Sequence, residues 1–596
     1  MLNRTSPARA RNTRTIDWPA PSRGWVQSGN IATAPKDQAE VLDNWIATAQ
    51  GIRVRGGSTE YADLAAPVVS LMSYTDATTV LFGATADSLF NADRVASGSN
   101  AWAEVEGLAS GDWSGTQIST AGGRFLVAVN GADKAIFYDG LTFEPLADEG
   151  ITELAFDAET SGFLGAQTLT GGTSGATATI ASITKTSTTE GVLKLFNVSG
   201  TFQDNETITS VSGSATANGA PATGSSIAIT GVDSADLSQV WLFKERLFFI
   251  EGDTASAWYL PVESIGGAAS EINLGSIFKK GGVLLFGATW SIDSGSGLDD
   301  VCVFVSDQGE LAIFEGSNPG DASDWALVGV YDIGKPLNKR SFFKAGGDLA
   351  ILTEDGIIPI SEALQKDRAA LQSSAISYPI EDAWKSAIAN ATSEYPISAA
   401  LWQSQTILLI GTASKVGGLN VAFAANARTG AWSRIVGWDV RCSVIARDEL
   451  YFGNNAGQVM TADTGGTDDG DFYTVTYVPK FQTFSDMQVA NAAGITYRAS
   501  TEIPVNLVGF SDYNVENISA AGAASSEIDD AAWGVSVWGT FIWGGTGSRE
   551  TFTEWQPVYS TGYALAPGLS FQVSQSAKPS FELLAVRLRH EKGYGL

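Results

Sequence analysis

The best candidate for a metal site is the acidic segment from Asp463 to Asp471, DTGGTDDGD, which holds four carboxylates within nine residues. Carboxylate oxygens are the ligands that Ca²⁺ prefers, although the spacing differs from that of an EF-hand loop, which ends with a glutamate at its twelfth position. Asp and Gly also fill solvated turns between strands. The segment therefore predicts such a turn, with a calcium site as the alternative.

Histidine and cysteine are too scarce for most nucleophilic or zinc chemistry. The chain has one histidine, His590, and two cysteines, Cys302 and Cys442. Zinc sites based on histidines or on four cysteines are excluded by these counts, and neither cysteine has the context of a nucleophile. We expect buried free thiols, since both cysteines lie in apolar runs far apart in sequence. His590 is expected to be an ordinary residue at the surface or at a strand end.

Phosphate-binding and glycosidase chemistry also lack named residues. The run Gly171–Gly175 is not followed by the Gly-Lys-Ser/Thr of a phosphate loop. With 65 Asp and Glu in the chain, carboxylate pairs arise by chance, and none stands out as the acid and base of a glycosidase. Four tryptophans could stack on sugars, but such residues more often fill a β-core or a subunit contact: Trp533, Trp538, Trp543 and Trp555. The sequence thus predicts no enzyme and no cofactor.

The charge is strongly acidic but unevenly distributed. The formal net charge is −29, while residues 1–55 carry eight Arg and Lys against four Asp and Glu. An acidic body cannot bind phosphates through counterion release, so it is a poor nucleic-acid binder. It would suit a passage through which DNA slides without sticking, because repulsion keeps the duplex off the wall. A soluble protein from a high-salt setting would show the same charge.

The elements that must position these residues are short strands. Charged residues make up 17% of the chain and Gly reaches 65, a mixture typical of strands joined by Gly-containing turns. Hairpins are predicted at four places where two apolar runs flank a polar turn: 301–314, 349–360, 421–434 and 449–461. Meanders of this kind over some 400 residues indicate the blades of a β-propeller, with a set of sandwiches as the alternative.

Residues 165–230 differ from this pattern, with only five charged residues and abundant Thr, Ser, Gly and Ala. Apolar residues at Leu193, Leu195, Phe196, Phe202 and Ile208 supply a small core, so we expect a small β-domain inserted into a blade loop. Helices are predicted only at Ser361–Ser374, with Ser361 as the cap, and at Ile380–Ala391.

The expected organisation is all-β, with a propeller body, an inserted small β-domain and a C-terminal β-rich domain. The predicted boundaries are an N-terminal arm and first strand over 1–57, blades over 58–164 and 231–480, the insert over 165–230, and the C-terminal domain over 481–596. No run reaches the ~20 apolar residues of a membrane span. The basic start lacks a following apolar stretch, so we expect no signal peptide and synthesis in the cytoplasm.

One family shares several of these segments in the same order. Residues 39–45, AEVLDNW, lead into residues 51–57, GIRVRGG, in which Ile52 and Val54 alternate with Arg53 and Arg55 as in a half-buried strand. Further segments are 301–336, 355–360 and 429–433, the last followed by 450–453 and the 468–471 turn. The ordered combination resembles the tail nozzle proteins of short-tailed phages, also called tail tubular protein B.

The resemblance implies a function and partners. It implies a structural virion protein with a propeller body and a second β-domain, six copies of which form the ring of the distal tail tube. The ring would dock to the tail adaptor, gate the exit of DNA without sequence-specific binding, and carry tail fibres or spikes. The 165–230 segment also resembles a short β-module of many phage structural proteins. We expect contacts with another subunit or with the adaptor at seven residues: Arg9, Arg11, Arg14, Asn44, Trp45, Arg53 and Arg55.

Two other functions stay open. A propeller that binds or cleaves glycans, on a phage tail or cell surface, would need an aromatic platform or a carboxylate pair in one pocket. A bacterial cell-surface propeller is disfavoured by the missing export signal. The basic N-terminal arginines could also bind nucleic acid, dock onto an acidic neighbouring subunit, or form a disordered tail.

Overall fold

The computed structural model describes residues 13–49, 51–95, 101–120, 123–146, 152–163, 167–223, 228–293, 298–515, 518–520 and 549–593. Strands dominate these ranges, and the sheets are arranged as a β-propeller. The predicted all-β class with a propeller body is therefore confirmed.

Six separate antiparallel sheets form the blades, and in all but blade six the strands pair in chain order. Blades one and two contain Ser70–Thr75, Thr79–Ala84, Ser88–Val95 and Ala101–Glu106, then Ser114–Thr120, Gly123–Val129, Ile136–Tyr138 and Phe143–Pro145. Blades three and four contain Leu237–Phe243, Arg246–Glu251, Ser256–Tyr259 and Ser270–Asn273, then Leu284–Asp293, Leu298–Ser306, Glu310–Glu315 and Ala326–Asp332. Blades five and six contain Phe342–Ala345, Asp348–Thr353 and Gly356–Pro359, then Cys442–Ala446, Glu449–Gly453, Gln458–Thr464 and Gly57–Asp63.

Four further strands complete the ring between blades five and six, and we call them the linking unit: Ser398–Trp402, Ile407–Gly411, Leu419–Asn426 and Trp432–Val436. They belong to the largest sheet, which continues into the second β-domain. A two-residue strand, Lys415–Val416, pairs with Leu419–Asn426. The linking unit thus joins the propeller and the second domain through continuous backbone hydrogen bonds.

Residues distant in sequence close the propeller. Strand Gly57–Asp63, from the start of the chain, pairs antiparallel with Gln458–Thr464 in blade six. Glycine is required where this strand begins, because a Cβ at Gly57 would lie 1.8 Å from the carbonyl oxygen of Thr467. The two ends of the blade sequence are therefore fastened to each other.

The four predicted hairpins are present. Leu298–Ser306 pairs with Glu310–Glu315, and Asp348–Thr353 pairs with Gly356–Pro359. Leu419–Asn426 and Glu449–Gly453 likewise pair with the strands that follow them. In the first hairpin the turn places Gly309 at φ +82°, a conformation that costs glycine little. Apolar runs and glycine-containing turns thus located these pairs correctly.

The small inserted β-domain lies between blades two and three, rather than in a loop within one blade. Its sheet has seven strands: Thr152–Ser161, Thr168–Gly171, Thr177–Lys185, Gly191–Ser199, Thr207–Thr209, Ser214–Ala217 and Ala222–Thr223. It begins earlier than predicted because Thr152–Ser161 pairs with Gly191–Ser199 and Ser214–Ala217. Leu193, Leu195, Phe202 and Ile208 are buried in its core, as expected. A short parallel pair, Ile229–Thr230 with Gly267–Ala268, follows the insert.

The second β-domain is built from both ends of the chain. Its strands are Arg14–Pro19, Ala39–Asp43, Trp45–Ala47, Ile52–Val54, Tyr473–Pro479, Gln482–Ala499, Asn506–Ser511, Glu550–Val573 and Glu582–Lys592. Residues 1–57 were predicted as an arm with a first strand, yet Arg14–Pro19 pairs along its whole length with Glu582–Lys592. The domain also starts at Tyr473 instead of residue 481. The predicted strand around Arg53 is present.

Helices are few and short: Ile360–Ala363, Arg368–Leu371 and Glu381–Asn390, with 3₁₀ turns at Ile31–Thr33, Ser234–Asp236, Gln372–Ser374 and Tyr378–Ile380. The predicted helix over 361–374 is broken near Asp367, and Ser361 is not its cap, because its hydroxyl donates to Asp348 at 2.5 Å. The helix near Ile380–Ala391 is present and buries Trp384. Within the described ranges, no helix is long and apolar enough to cross a membrane.

Candidate functional site

The segment predicted to contact other subunits lies inside the junction between the propeller and the second β-domain. The hairpin Trp45–Ala47 and Ile52–Val54 belongs to the second domain, and the next strand, Gly57–Asp63, belongs to blade six. Arg53 and Arg55 therefore lie where the chain passes from one domain to the other. The 463–471 segment enters the same region from the end of blade six. We call this region the junction network.

Arg55 is the centre of the junction network, and its side chain is fully buried. The guanidinium donates to both carboxylate oxygens of Asp468 at 2.8 and 2.6 Å, and its Nε donates to the Asn44 side-chain oxygen at 2.9 Å. It also lies 3.8 Å from the ring centroid of Tyr473 and 4.8 Å from that of Trp438. Bidentate pairing and stacking on aromatic rings are the contacts that suit a buried guanidinium.

Asp468 and Asn44 complete the network around Arg55. Asp468 Oδ1 also accepts a hydrogen bond from the Trp438 indole at 3.0 Å. Asn44 donates to the Thr474 carbonyl at 2.7 Å and accepts from the Val436 amide at 2.8 Å. Its φ of +65° is a conformation that Asn tolerates better than most residues. Asn44 therefore fixes Arg55 to both the linking unit and the second domain.

A second ion group lies beside the first. Arg53 donates to Asp463 at 2.8 and 3.3 Å, and Lys578 approaches the same carboxylate at 2.6 Å. Burial acts to raise the pKa of Asp463, but the charges of Arg53 and Lys578 outweigh it and the net pKa is lowered. Asp463 is thus held ionised while it links the first strands, blade six and the C-terminal segment.

Three of the seven predicted contact residues are buried within the subunit. Asn44 and Arg55 are 1% and 0% exposed, and Trp45 is 0% exposed, so these side chains have no surface to offer another subunit. Arg53 is engaged by Asp463 and only partly exposed. Arg14 is exposed on the strand that pairs with Glu582–Lys592. Arg9 and Arg11 lie outside the described residues.

The acidic segment 463–471 behaves as a turn. Asp463 and Asp468 are both neutralised by cationic side chains, and Asp471 forms an isolated bridge with Asp468. Across the part of the chain that is described, no group of three or more His, Cys, Asp and Glu side chains could hold a metal ion. The turn that the sequence favoured is present.

The histidine and cysteines have structural surroundings. His590 lies near the end of the last strand but is only 4% exposed, which differs from the expected surface position. Its Nδ1 is 2.9 Å from the Gln488 side-chain oxygen, and burial lowers its pKa. Cys302 and Cys442 are buried free thiols, as predicted, and burial raises the pKa of Cys442 to about 11. Neither thiol is poised to act as a thiolate.

A cavity of about 300 Å³ lies on the propeller axis, lined mainly by innermost strands. Residues from blades one, two and six face it, among them Met72, Gln117 and Ser443. Its volume is at the lower end of the range for small-ligand pockets. The innermost strands therefore enclose a cavity of small-molecule size.

Two basic residues extend across this axis from the segment before blade five. Lys339 Nζ donates to the carbonyls of Asp112 and Ser238 at 2.7 and 3.0 Å. Arg340 donates to the Val69 carbonyl at 2.9 Å and to the Asp112 carboxylate. Burial acts to raise the pKa of Asp112, but Arg340 and Lys339 outweigh it and lower the net pKa. We call these contacts the axial tie, since they join blade five to blades one, two and three.

The axial tie was not predicted from the sequence. The available signal was an adjacent Lys-Arg pair, preceded by Asn338, between two predicted hairpins of a chain poor in basic residues. Of the four tryptophans considered as a sugar platform, Trp533, Trp538 and Trp543 lie outside the described residues. Trp555 is 39% exposed on the long strand Glu550–Val573.

No known family matches this sequence, and no curated protein does. Solved structures match its fold at low identity. Sqt1 of Saccharomyces cerevisiae is 11% identical, with 68% of this chain and 98% of that chain covered and a TM-score of 0.32. The β-propeller domain of Cps50 (Swd1) from Myceliophteria thermophila is 9% identical, covering 68% and 99%, with a TM-score of 0.25. YCF48 bound to D1 peptide is 8% identical, covering 72% and 99%, with a TM-score of 0.25.

Proposed function

We propose that this chain is the tail nozzle of a short-tailed phage, a structural virion protein without catalytic activity. Six copies form a ring at the distal end of the tail, below the adaptor. The ring gates the exit of DNA during genome ejection and supports fibres or spikes. The protein is made in the host cytoplasm and incorporated into the tail.

The observation that carries this proposal is the pairing of a propeller with a second β-domain built from both chain ends. A propeller body with a second β-domain is the architecture that the sequence resemblance implies. The segments that resemble the family occupy structured positions in the same order. Residues 301–336 form most of blade four, 355–360 lead from blade five into the helices, and 450–453 form a strand of blade six.

The closed propeller axis adds a constraint to this proposal. Because the axial tie joins the innermost strands across one propeller, we place the DNA passage between copies of the chain and not through a single propeller. A ring of subunits with a net charge of −29 each would present an acidic wall to that passage. Such a wall repels phosphates and keeps DNA mobile.

A glycan-binding propeller on a phage tail or cell surface is the second candidate. The exposed Trp555 and Tyr559, at 39% and 82% exposure, are aromatic rings on which sugars could stack. A glycan-cleaving activity would further require a carboxylate pair in one pocket.

Antibody-gold labelling of intact phage particles, imaged by electron microscopy, tests the nozzle proposal. We expect label at the tip of a short tail in particles that encode this chain. A validated antibody that labels no part of the tail would contradict the proposal and favour the glycan-binding candidate. Release of soluble sugar from host polysaccharide by the purified protein would contradict the absence of catalysis.

A further inference from the structure

One face of the second β-domain is exposed and carries aromatic rings and arginines. Strand Glu550–Val573 alternates between buried and exposed residues, and Trp555, Tyr559 and Tyr563 are 39%, 82% and 55% exposed. It pairs with Gln482–Ala499, which pairs on its other side with Glu582–Lys592. We call this surface the outer face and define it by seven residues: Ala492, Gly494, Arg498, Trp555, Tyr559, Arg587 and Arg589.

The strand register places small residues beside Trp555 and two arginines on the outer face. Gly494 lies opposite Trp555 on one side and Arg587 on the other, and Ala492 lies opposite Arg589. A Cβ at position 494 would lie 2.7 Å from the Trp555 ring, so only glycine lets the indole lie over the strand. The Arg589 guanidinium is 4.6 Å from the centroid of that ring. Ala492 and Gly494 thus leave room for Arg589 to stack on Trp555 at the surface.

The charges of the outer face are unbalanced. Arg587 pairs with Asp17 at 2.8 Å, and the nearby Glu582 pairs with Arg549 at 3.2 Å. Arg498 and Arg589 are exposed, and neither forms an ion pair with any residue in the described ranges. The complete chain has 65 acidic against 36 basic residues. The surface that complements these two arginines is therefore most readily supplied by another copy of this chain.

We infer that the outer face binds an acidic surface of a second copy of this chain. This inference rests on the proposed ring and names the surface that builds it. Trp, Tyr and Arg are the residues enriched at interface centres and at energetic hot spots. A contact between two different surfaces of identical subunits is head-to-tail, and it builds a ring when the rotation between subunits closes.

Sedimentation velocity and native mass spectrometry of the purified full-length chain test this inference. We expect a closed oligomer for the natural sequence. Arg589→Glu and Tyr559→Ser should each weaken assembly at least about tenfold, because each removes a hot-spot group from the contact. Matched controls are Arg428→Glu and Leu141→Ser, at exposed positions in propeller turns, and these should assemble normally. Circular dichroism establishes that all four variants are folded.

The outcomes separate the two proposals. If Arg589→Glu and Tyr559→Ser assemble as the natural sequence does, the outer face is not the contact, while the ring itself stands. A natural sequence that stays monomeric at all concentrations would contradict both the contact and self-assembly into a ring. Variants that assemble normally but no longer bind immobilised host polysaccharide would assign the outer face to glycans and overturn the inference.

Discussion

The positive charge of Arg55 is buried, and the N–H groups of its guanidinium are hydrogen-bonded. Its guanidinium is paired with Asp468, hydrogen-bonded to Asn44 and stacked on Tyr473 and Trp438. An alternating strand predicts that Arg53 and Arg55 both point outward, yet at a domain junction both sides of the strand are covered. Local pattern therefore identified the strand but not the burial.

Arg55→Met should destabilise the protein strongly. The change leaves Asp468 without its cation, and breaking one partner of a buried pair costs about 3–5 kcal/mol. Arg23→Met is the matched control, because Arg23 and Asp37 form an exposed pair at 3.2 Å that should contribute less than about 1 kcal/mol. Thermal unfolding of the two variants measures the difference. Equal midpoints would contradict a structural role for the junction network.

Asp463→Asn should reveal a pH-dependent contribution. The lowered pKa of Asp463 means that its ionised form stabilises the fold above the unfolded-state pKa of about 3.9, and that this contribution is lost as the pH falls through the lower folded-state pKa. We therefore expect the variant to unfold at a lower temperature than the natural sequence at pH 7. The difference between the two unfolding temperatures should narrow below about pH 4. Unfolding temperatures across this pH range measure it. A gap that is constant with pH would refute the ionic account.

Among the elements, the axial tie connects blade five, the smallest blade, to three other blades. Blade five has three strands instead of four, and its preceding segment supplies Lys339 and Arg340. These side chains reach carbonyls of Val69, Asp112 and Ser238 on the opposite blades. Hydrogen bonds across the axis limit how far the ring can open.

Arg340→Met should loosen the innermost strands of blades one and two. Arg340 donates to Val69, one residue before the first of these strands, and to Asp112, two residues before the second. Its loss should therefore speed amide exchange in Ser70–Thr75 and Ser114–Thr120. Lys344→Met, at an exposed position in blade five, serves as the control. Hydrogen exchange followed by mass spectrometry gives the comparison. If the two variants show identical amide exchange rates in these strands, the axial tie does not stabilise them.

Individual strands and hairpins were easier to predict from the sequence than pairings between strands that are distant in the chain. Hairpins depend on neighbouring residues, and a turn such as the one containing Gly309 is visible locally. Thr152–Ser161 was missed as part of the insert because its partners lie at 191–199 and 214–217. The pairing of Arg14–Pro19 with Glu582–Lys592 joins residues more than 560 positions apart, and no local pattern encodes such a contact. The outer face could have been detected from the alternation that exposes Trp555.

At the scale of the whole molecule, the proposed ring predicts an effect of charge on genome ejection. Replacing the Asp and Glu side chains that face the passage by Lys should slow ejection, because added cations attract the DNA phosphates. The particles should still assemble. Fluorescence assays of DNA release from purified particles measure the rate. If such particles eject their DNA at the natural rate, the charge of the side chains that face the passage does not control ejection.

The most direct test of the account is a cryo-electron microscopy reconstruction of the tail tip of particles that encode this chain. We expect six copies around one axis, with each propeller closed by its axial tie and the DNA passage between subunits. We further expect the outer face of each copy to meet its neighbour. A tail tip without this chain, or one in which it occurs as isolated copies around another tube protein, would contradict the nozzle proposal.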